Sequence, residues 1–352
     1  IILDLVVPNY AIDVANRLAK KHDGTCIILD KERDIARLII GNWTIDLATQ
    51  IGSNLEEDLL RRDFTCNAIA LTLRGQSTIL DPAFGISDLR REALVAISEK
   101  NLIDDPLRLL RAFRFKAQLN LKIDSQTFSW INAHRFTLLD VAPERIQSEI
   151  TKLLNAPFAK EVLPLLSKSG LLDDWTHKEK CVDKSSENLS NAKNFTKEEF
   201  SKALFYSRLT SLLSDKGLEY LRFSKYQRNV CRLIRKWKTS YDGQDFLSLS
   251  EGQRLQLHKD LENHLPAIIL ELSKPAQHTW LKRWKNSKDP LFHPLSPLSG
   301  NALQDAFGIT PGPKLGQLLD YLCHENAFGR LPNQEQVLKA ASHWLQRNET
   351  TL

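Results

Sequence analysis

The chain of 352 residues contains no methionine, not even at position 1. Such a sequence is expected to be an incomplete translation product whose true N-terminus is missing. The five cysteines, Cys26, Cys66, Cys181, Cys231 and Cys323, are scattered, and no pair has metal-ligand spacing. Their odd number argues against a disulfide framework and for a reducing, cytoplasmic setting. No apolar run reaches the ~18 residues that span a bilayer, so no membrane partner is expected. The apolar residues 1–7 lack a basic flank and a cleavage site, which excludes a signal peptide. The nine histidines show no ligand spacing, and residues 308–316 lack the Gly-Lys-Ser/Thr ending of a phosphate loop. No internal repeat is apparent.

What is present is ordinary in bulk: 42% hydrophobic and 26% charged residues, with 48 basic against 43 acidic side chains for a net charge of +5. That excess is modest, so a polyanion partner would have to meet local basic patches. The length implies two to four modules.

Residues 2–7 form a short apolar run typical of a buried strand. Ala11, Val14, Ala15, Leu18 and Ala19 have the spacing of a helix over 10–21. Strands are expected over 25–29, 35–40 and 43–48, the last two joined by the hairpin signal Gly41-Asn42. Residues 68–73 and 77–80 read as a further strand pair. From about residue 100 the period is helical, most clearly over 107–119, 143–154 and 158–169. A polar stretch at 178–197 reads as a linker, followed by helical blocks 202–237 and 247–284, a Pro-rich boundary at 290–297 and a helical module over 301–346.

Two clusters carry chemistry. In the first, Ser53 with Glu56 three residues on reads as a helix cap, and Arg61-Arg62-Asp63 then runs into an apolar strand. Adjacent arginines at a strand edge suit a polyphosphate, which a guanidinium binds through paired hydrogen bonds. The second is Asp104-Asp105-Pro106-Leu107-Arg108, with Arg111 and Arg114 recurring on one side of a helix. An Asp and an Arg one turn apart can imitate a base edge: the carboxylate accepts from an exocyclic amine while the guanidinium donates to a ring nitrogen. Cytosine and adenine offer that pattern, whereas uracil and guanine present the reverse. Taken alone, either cluster also reads as a solvated charged helix face.

As an ordered set these segments resemble the class II CCA-adding enzyme and bacterial poly(A) polymerase family of polymerase-β-like nucleotidyltransferases. Arg61-Arg62-Asp63-Phe64-Thr65-Cys66-Asn67-Ala68 looks like the RRDFTxNA motif, and Asp81-Pro82-Ala83-Phe84-Gly85-Ile86-Ser87-Asp88-Leu89 like DPxxGxxDL. Asp105 and Arg108 resemble the amino-acid template, with Asp104 where the family usually has Glu. The segment from Glu144 to Leu153 resembles ERIxxExxKxL. The strongest likeness covers about residues 50–155. Further on, the Thr310-Pro311-Gly312-Pro313-Lys314-Leu315-Gly316 segment with Trp344-Leu345 is similar to the family's helical tail.

The resemblance implies an α+β protein: a small N-terminal polymerase-β-like nucleotidyltransferase head (1–98, N-terminally incomplete), then an all-α neck (99–156), body (157–289) and tail (290–352). It implies template-independent addition of C and A to the 3′ end of tRNA from CTP and ATP, with Mg²⁺. Asp4 and Asp46 would be the catalytic, metal-binding carboxylates. Ile2 stands where the first Asp of a DxD pair is expected, and the preceding GGxVRD segment is absent. Arg61, Arg62, Asp63, Asn67, Asp105, Arg108, Arg111 and Arg114 would bind nucleotide. Arg228, Arg232, Arg235, Lys282 and Arg283 fall in basic stretches suited to RNA phosphates. A CC-adding or A-adding enzyme, a poly(A) polymerase and a non-catalytic RNA-binding relative remain open alternatives.

Overall fold

The structure, a computed structural model, describes residues 2–73, 77–176, 195–240 and 245–348. It forms two compact units, Ile1–Val141 and Ala142–Leu352. They part inside the span read from sequence as one neck.

The first unit opens with β1 (Ile2–Val7), α1 (Ala11–Lys21), β2 (Thr25–Asp30), β3 (Ile35–Ile40) and β4 (Trp43–Thr49). The strands make one sheet in the order β1-β4-β3-β2, with β1 parallel to β4 and the other pairings antiparallel. The expected hairpin joins β3 to β4, and Gly41 supplies its positive φ of 54°. Ala11, Ala15 and Ala19 let α1 approach the sheet closely over Ala36, Leu38 and Leu47. The N-terminus of α1 is capped from the β2–β3 loop, where the Asp34 carboxylate accepts the amides of Ala11 at 2.8 Å and Ile12 at 3.0 Å. The strand over 2–7 forms as expected but is not buried: β1 is a sheet edge, and Leu3 and Asp4 are exposed.

Helix α2 (Leu55–Leu60) is capped one residue later than the spacing suggested. Asn54 accepts the Glu57 amide at 2.9 Å, and the Glu57 carboxylate reaches back to the Ser53 amide at 2.8 Å. A single 3-10 turn, Thr65–Asn67, follows. Of the expected strand pair, only β5 (Ala70–Leu71) and β6 (Ile79–Leu80) pair, and residues 74–76 lie outside the described residues. Helix α3 (Gly85–Arg90) is capped by Asp81 and packs on the 3-10 turn so closely that a Cβ on Gly85 would lie 2.1 Å from the Thr65 carbonyl oxygen. That contact explains the glycine of the DPxxGxxDL segment. The unit continues with β7 (Ala93–Leu94), α4 (Glu99–Asp104), α5 (Leu107–Leu119), β8 (Lys122–Ile123) and α6 (Ser125–Ala133), β7 pairing with β8 in parallel, and ends with a 3-10 helix, Arg135–Asp140.

The second unit is helical: α7 (Pro143–Leu154), α8 (Ala159–Ser169), α9 (Lys197–Leu212), α10 (Asp215–Tyr220), α11 (Lys225–Thr239), α12 (Glu251–Leu261), α13 (Leu265–Ile269), α14 (Lys274–Lys285), α15 (Gly300–Phe307), α16 (Pro313–Ala327) and α17 (Gln334–Arg347). The blocks read as 202–237 and 247–284 are each broken by capping residues: Ser214 and Ser224 start α10 and α11, and Ser250 and Ser273 start α12 and α14. Periodicity continues through such breaks because each helix turns an apolar face inward. Of the polar stretch 178–197, residues 178–194 lie outside the described residues, and Thr196 caps α9 in a capping box with Glu199. Helices α15–α17 enclose their own core around Leu303, Leu318, Leu322 and Ala341. Among the described residues no helix is long and apolar enough to cross a membrane.

Candidate functional site

Arg61, Arg62 and Asp63 do not lie at a strand edge. They form the turn between α2 and the 3-10 turn, where Phe64 makes only an isolated bridge to Ala96. Arg61 is exposed, and Arg62 is half-buried, donating to the Asn67 carbonyl at 3.3 Å and to Asp58 at 3.4 Å. Asp63 is buried and its carboxylate is heavily used. Oδ1 accepts the Phe64 amide at 2.9 Å and Asn67 Nδ2 at 2.9 Å, while Oδ2 takes Arg111.

Helix α5 starts directly after Pro106, whose fixed φ suits a first turn. Ahead of it, Asp105 Oδ1 accepts the Leu107 amide at 3.3 Å, and the Asp105 carbonyl accepts the Arg108 amide at 2.9 Å. Arg108 is half-buried and donates Nη1 to the Asn101 carbonyl at 2.8 Å. Burial lowers its pKa, and the carboxylates of Asp63 and Asp105 act against that fall. Asp104 is exposed. Arg114 is buried, donates to Gln118 at 2.8 Å and lies 4.0 Å over the Phe115 ring. The three arginines spaced along α5 thus have different environments, and Arg108 is the one beside Asp105.

The carboxylates expected from sequence come together on the sheet. Asp4 on β1 is in register with Asp46 on β4, and Asp46 with Arg37 on β3. Leu5, Val7, Ile45, Leu47, Ala36 and Leu38 pack against α1, so alternation puts Asp4, Asp46 and Arg37 on the opposite face. Arg37 grips Asp46 with two hydrogen bonds, Nε to Oδ1 at 2.7 Å and Nη2 to Oδ2 at 2.8 Å. Its pKa is raised by Asp46 and further by Asp4. Asp4 is exposed. Among the described residues there is no group of three or more His, Cys, Asp or Glu that could hold a metal. Two hard carboxylates on one face nonetheless fit an ion of the Mg²⁺ type, which takes one or two carboxylates and completes its shell with water and substrate phosphates.

The basic residues of the helical unit have divergent settings. Arg235 donates to the Thr210 and Leu213 carbonyls and to Asp215, Arg283 is bidentate to Asp289, and Arg228 pairs with Glu219. Arg232 and Lys282 are exposed, Arg232 donating to Asn229. The acids that meet the 222–238 stretch, Glu144, Asp215, Glu219, Asp260 and Glu271, all lie outside it.

Sequence reasoning missed Arg37 and Asn101. A lone arginine inside the apolar run 35–40, in phase with an acid across a hairpin, was a usable signal for the first. Nothing local marks Asn101.

The "Poly A polymerase head domain" profile matches residues 12–95, and "Probable RNA and SrmB- binding site of polymerase A" matches residues 120–175. A CC-adding tRNA nucleotidyltransferase of Synechocystis is 31% identical over 96% of this chain and 87% of that protein. A CCA-adding enzyme of Streptococcus sanguinis is 30% identical over 82% of this chain and 72% of its own length. Among solved structures, a CCA-adding enzyme with CTP superposes with a TM-score of 0.75 at 23% identity, covering 98% of this chain and 86% of that one. The Thermotoga maritima CCA-adding enzyme complexed with tRNA-CCA gives 0.73 at 22% identity, covering 97% and 86%. These likenesses extend well beyond residues 50–155.

Proposed function

The chain belongs to the tRNA nucleotidyltransferase and poly(A) polymerase family, and we propose that it adds C and A nucleotides without a template to the 3′ end of tRNA, drawing on CTP and ATP. The observation that carries this reading is the link through Asn101 between the Arg61–Arg62 turn and the half-buried Arg108, which lies one turn after Asp105. Base-reading and phosphate-binding groups then share one site. The setting proposed for this work is the cytoplasm.

In this reading Arg61 and Arg62 bind the triphosphate, and Asp105 with Arg108 reads the base edge that cytosine and adenine share. Asp63, Asn67 and Arg111 hold the turn, since their polar groups bind one another. Arg114 supports α5 through Phe115 and Gln118. Arg232 and Lys282 are the proposed contacts to tRNA phosphates. Nucleotidyltransferases generally use a divalent metal, and Asp4 and Asp46 would hold it, with Mg²⁺ the proposed ion. When bound, it would acidify the attacking 3′-hydroxyl and stabilise charge at the α-phosphate. Arg37 holds the Asp46 carboxylate in place on the sheet face with its two hydrogen bonds.

A second reading, addition of CC alone, is favoured by the Synechocystis CC-adding relative, whose match covers more of both proteins than that of the Streptococcus sanguinis enzyme. Incubation with Mg²⁺, labelled CTP or ATP, and tRNAs lacking all, two or one of the CCA nucleotides separates the two. C and A incorporation that stops after CCA supports the first reading. A halt after CC with no A added selects the second, and long A tails sink both.

A further inference from the structure

We infer that Asn101 is a positioning residue that sets the distance between the phosphate-binding arginine turn and the base-reading Arg108, and so tunes nucleotide choice. The inference rests on the proposed role of Arg108 as a base contact. Asn101 lies in α4, capped by Ser98, and is 7% exposed. Its carboxamide nitrogen carries two hydrogens, and both have acceptors: the Leu60 carbonyl at 2.8 Å and the Arg62 carbonyl at 2.7 Å. Those carbonyls flank Arg61 in the turn. On its other side the Asn101 backbone carbonyl, in the last turn of a helix where carbonyls lack intrahelical partners, accepts Arg108 Nη1 at 2.8 Å. One residue thus grips the turn with its side chain and Arg108 with its main chain.

The consequence follows from the chemistry of discrimination. Cytosine and uracil differ by exchanging donor and acceptor at the same places on the edge, so only a reader held at a fixed angle penalises the wrong base. A guanidinium has five donors and could serve uracil carbonyls if free to swing. Anchoring Nη1 removes that freedom and leaves the other donors in one plane. Arg108 is half-buried, its loss of hydration only partly offset by nearby carboxylates, and this carbonyl accepts one of its donors. If Asn101 loses its grip on the turn, α4 can shift and take the anchor with it. Base choice should then suffer more than tRNA affinity, which depends on other groups. A merely structural role predicts instead a uniform fall in activity and a lower melting temperature.

The test measures single-nucleotide incorporation from CTP and from UTP on tRNA lacking CCA, using the full chain with no substitution, Asn101→Ala, Asn101→Gln, Arg108→Ala, and Asn101→Ala combined with Arg108→Ala. The Asn101→Ala variant should lose about tenfold in the CTP:UTP ratio of kcat/KM, with tRNA Kd unchanged. In the Arg108→Ala background it should cause no further loss of preference. Asn101→Gln keeps both donors on a longer stem and should fall between, down about threefold. Unchanged preference in folded Asn101→Ala, or an equal further loss without Arg108, would overturn the inference. Should Asn101→Ala not fold, Asn101→Gln with the original preference would overturn it equally. The underlying reading fails separately, if the unsubstituted protein adds no C or does not prefer C to U.

Discussion

Arg111 closes on Asp63 across 48 positions of sequence, with Nε 2.7 Å and Nη2 2.6 Å from the same carboxylate oxygen. The acid is almost fully buried, while the arginine keeps partial access to water. Removing the guanidinium leaves a buried carboxylate with only neutral donors. Arg111→Ala should therefore destabilise the first unit by about 2–3 kcal/mol, measured by urea unfolding. A loss of activity at unchanged stability would instead return Arg111 to the nucleotide.

Asp105→Ala should relax base choice more than it weakens tRNA binding. A bidentate edge contact discriminates by about 1–3 kcal/mol, so the CTP:UTP preference should fall on the order of tenfold or more. Steady-state incorporation with each nucleotide measures it. Unchanged C and A selectivity removes the template role.

The sheet face predicts dependence on a metal. Chelation should stop incorporation and Mg²⁺ should restore it. Asp4→Asn should lower kcat on the order of hundredfold with little change in melting temperature, since Asp4 is exposed. Asp46→Asn should also affect stability, because it loses the charge that Arg37 grips. Full activity in Asp4→Asn would remove β1 from the site.

The exposed bases separate from the internally paired ones by salt dependence. Lys282→Ala should reduce the slope of log K against log salt for tRNA binding by about 0.7–0.9. Arg283→Ala, which breaks the pair with Asp289, should lower the melting temperature instead. Equal salt slopes for the unsubstituted and Lys282→Ala proteins would exclude a phosphate contact there.

Two buried histidines predict acid sensitivity of the helical unit. Burial, helped by Arg283, pushes His258 down to about 3, and burial with Lys202 pushes His264 down to about 4. Both are neutral in the folded state, so the unfolded chain binds protons first as pH falls below about 6.5. Their contribution is complete above that pH, declines as pH drops toward 4 and 3, and is then exhausted. The urea midpoint should fall between pH 7 and pH 5, and less steeply in His258→Leu. Parallel pH profiles for the two proteins would count against this account.

The chain's own pattern determined the elements and the chemical types at the site. The strand-like runs 35–40 and 43–48 with Gly41-Asn42 between them place β3 and β4, and the run from Leu107 to Leu119 is a helix to the residue. These are local effects, carried by caps, turns and one-sided hydrophobicity, and they survive without knowledge of neighbours. The resemblance of residues 50–155 likewise rests on ordered residue types. What required tertiary structure was partnership. Asp46 is gripped by an arginine from the adjacent strand, Asp63 by one 48 positions away, and α2 is capped by Asn54, with Glu57 accepting the Ser53 amide. Asn101, unremarkable in the sequence, became the link between turn and helix. A side chain's donors and acceptors are known from its type, but which groups they meet depends on distances that only the folded chain sets.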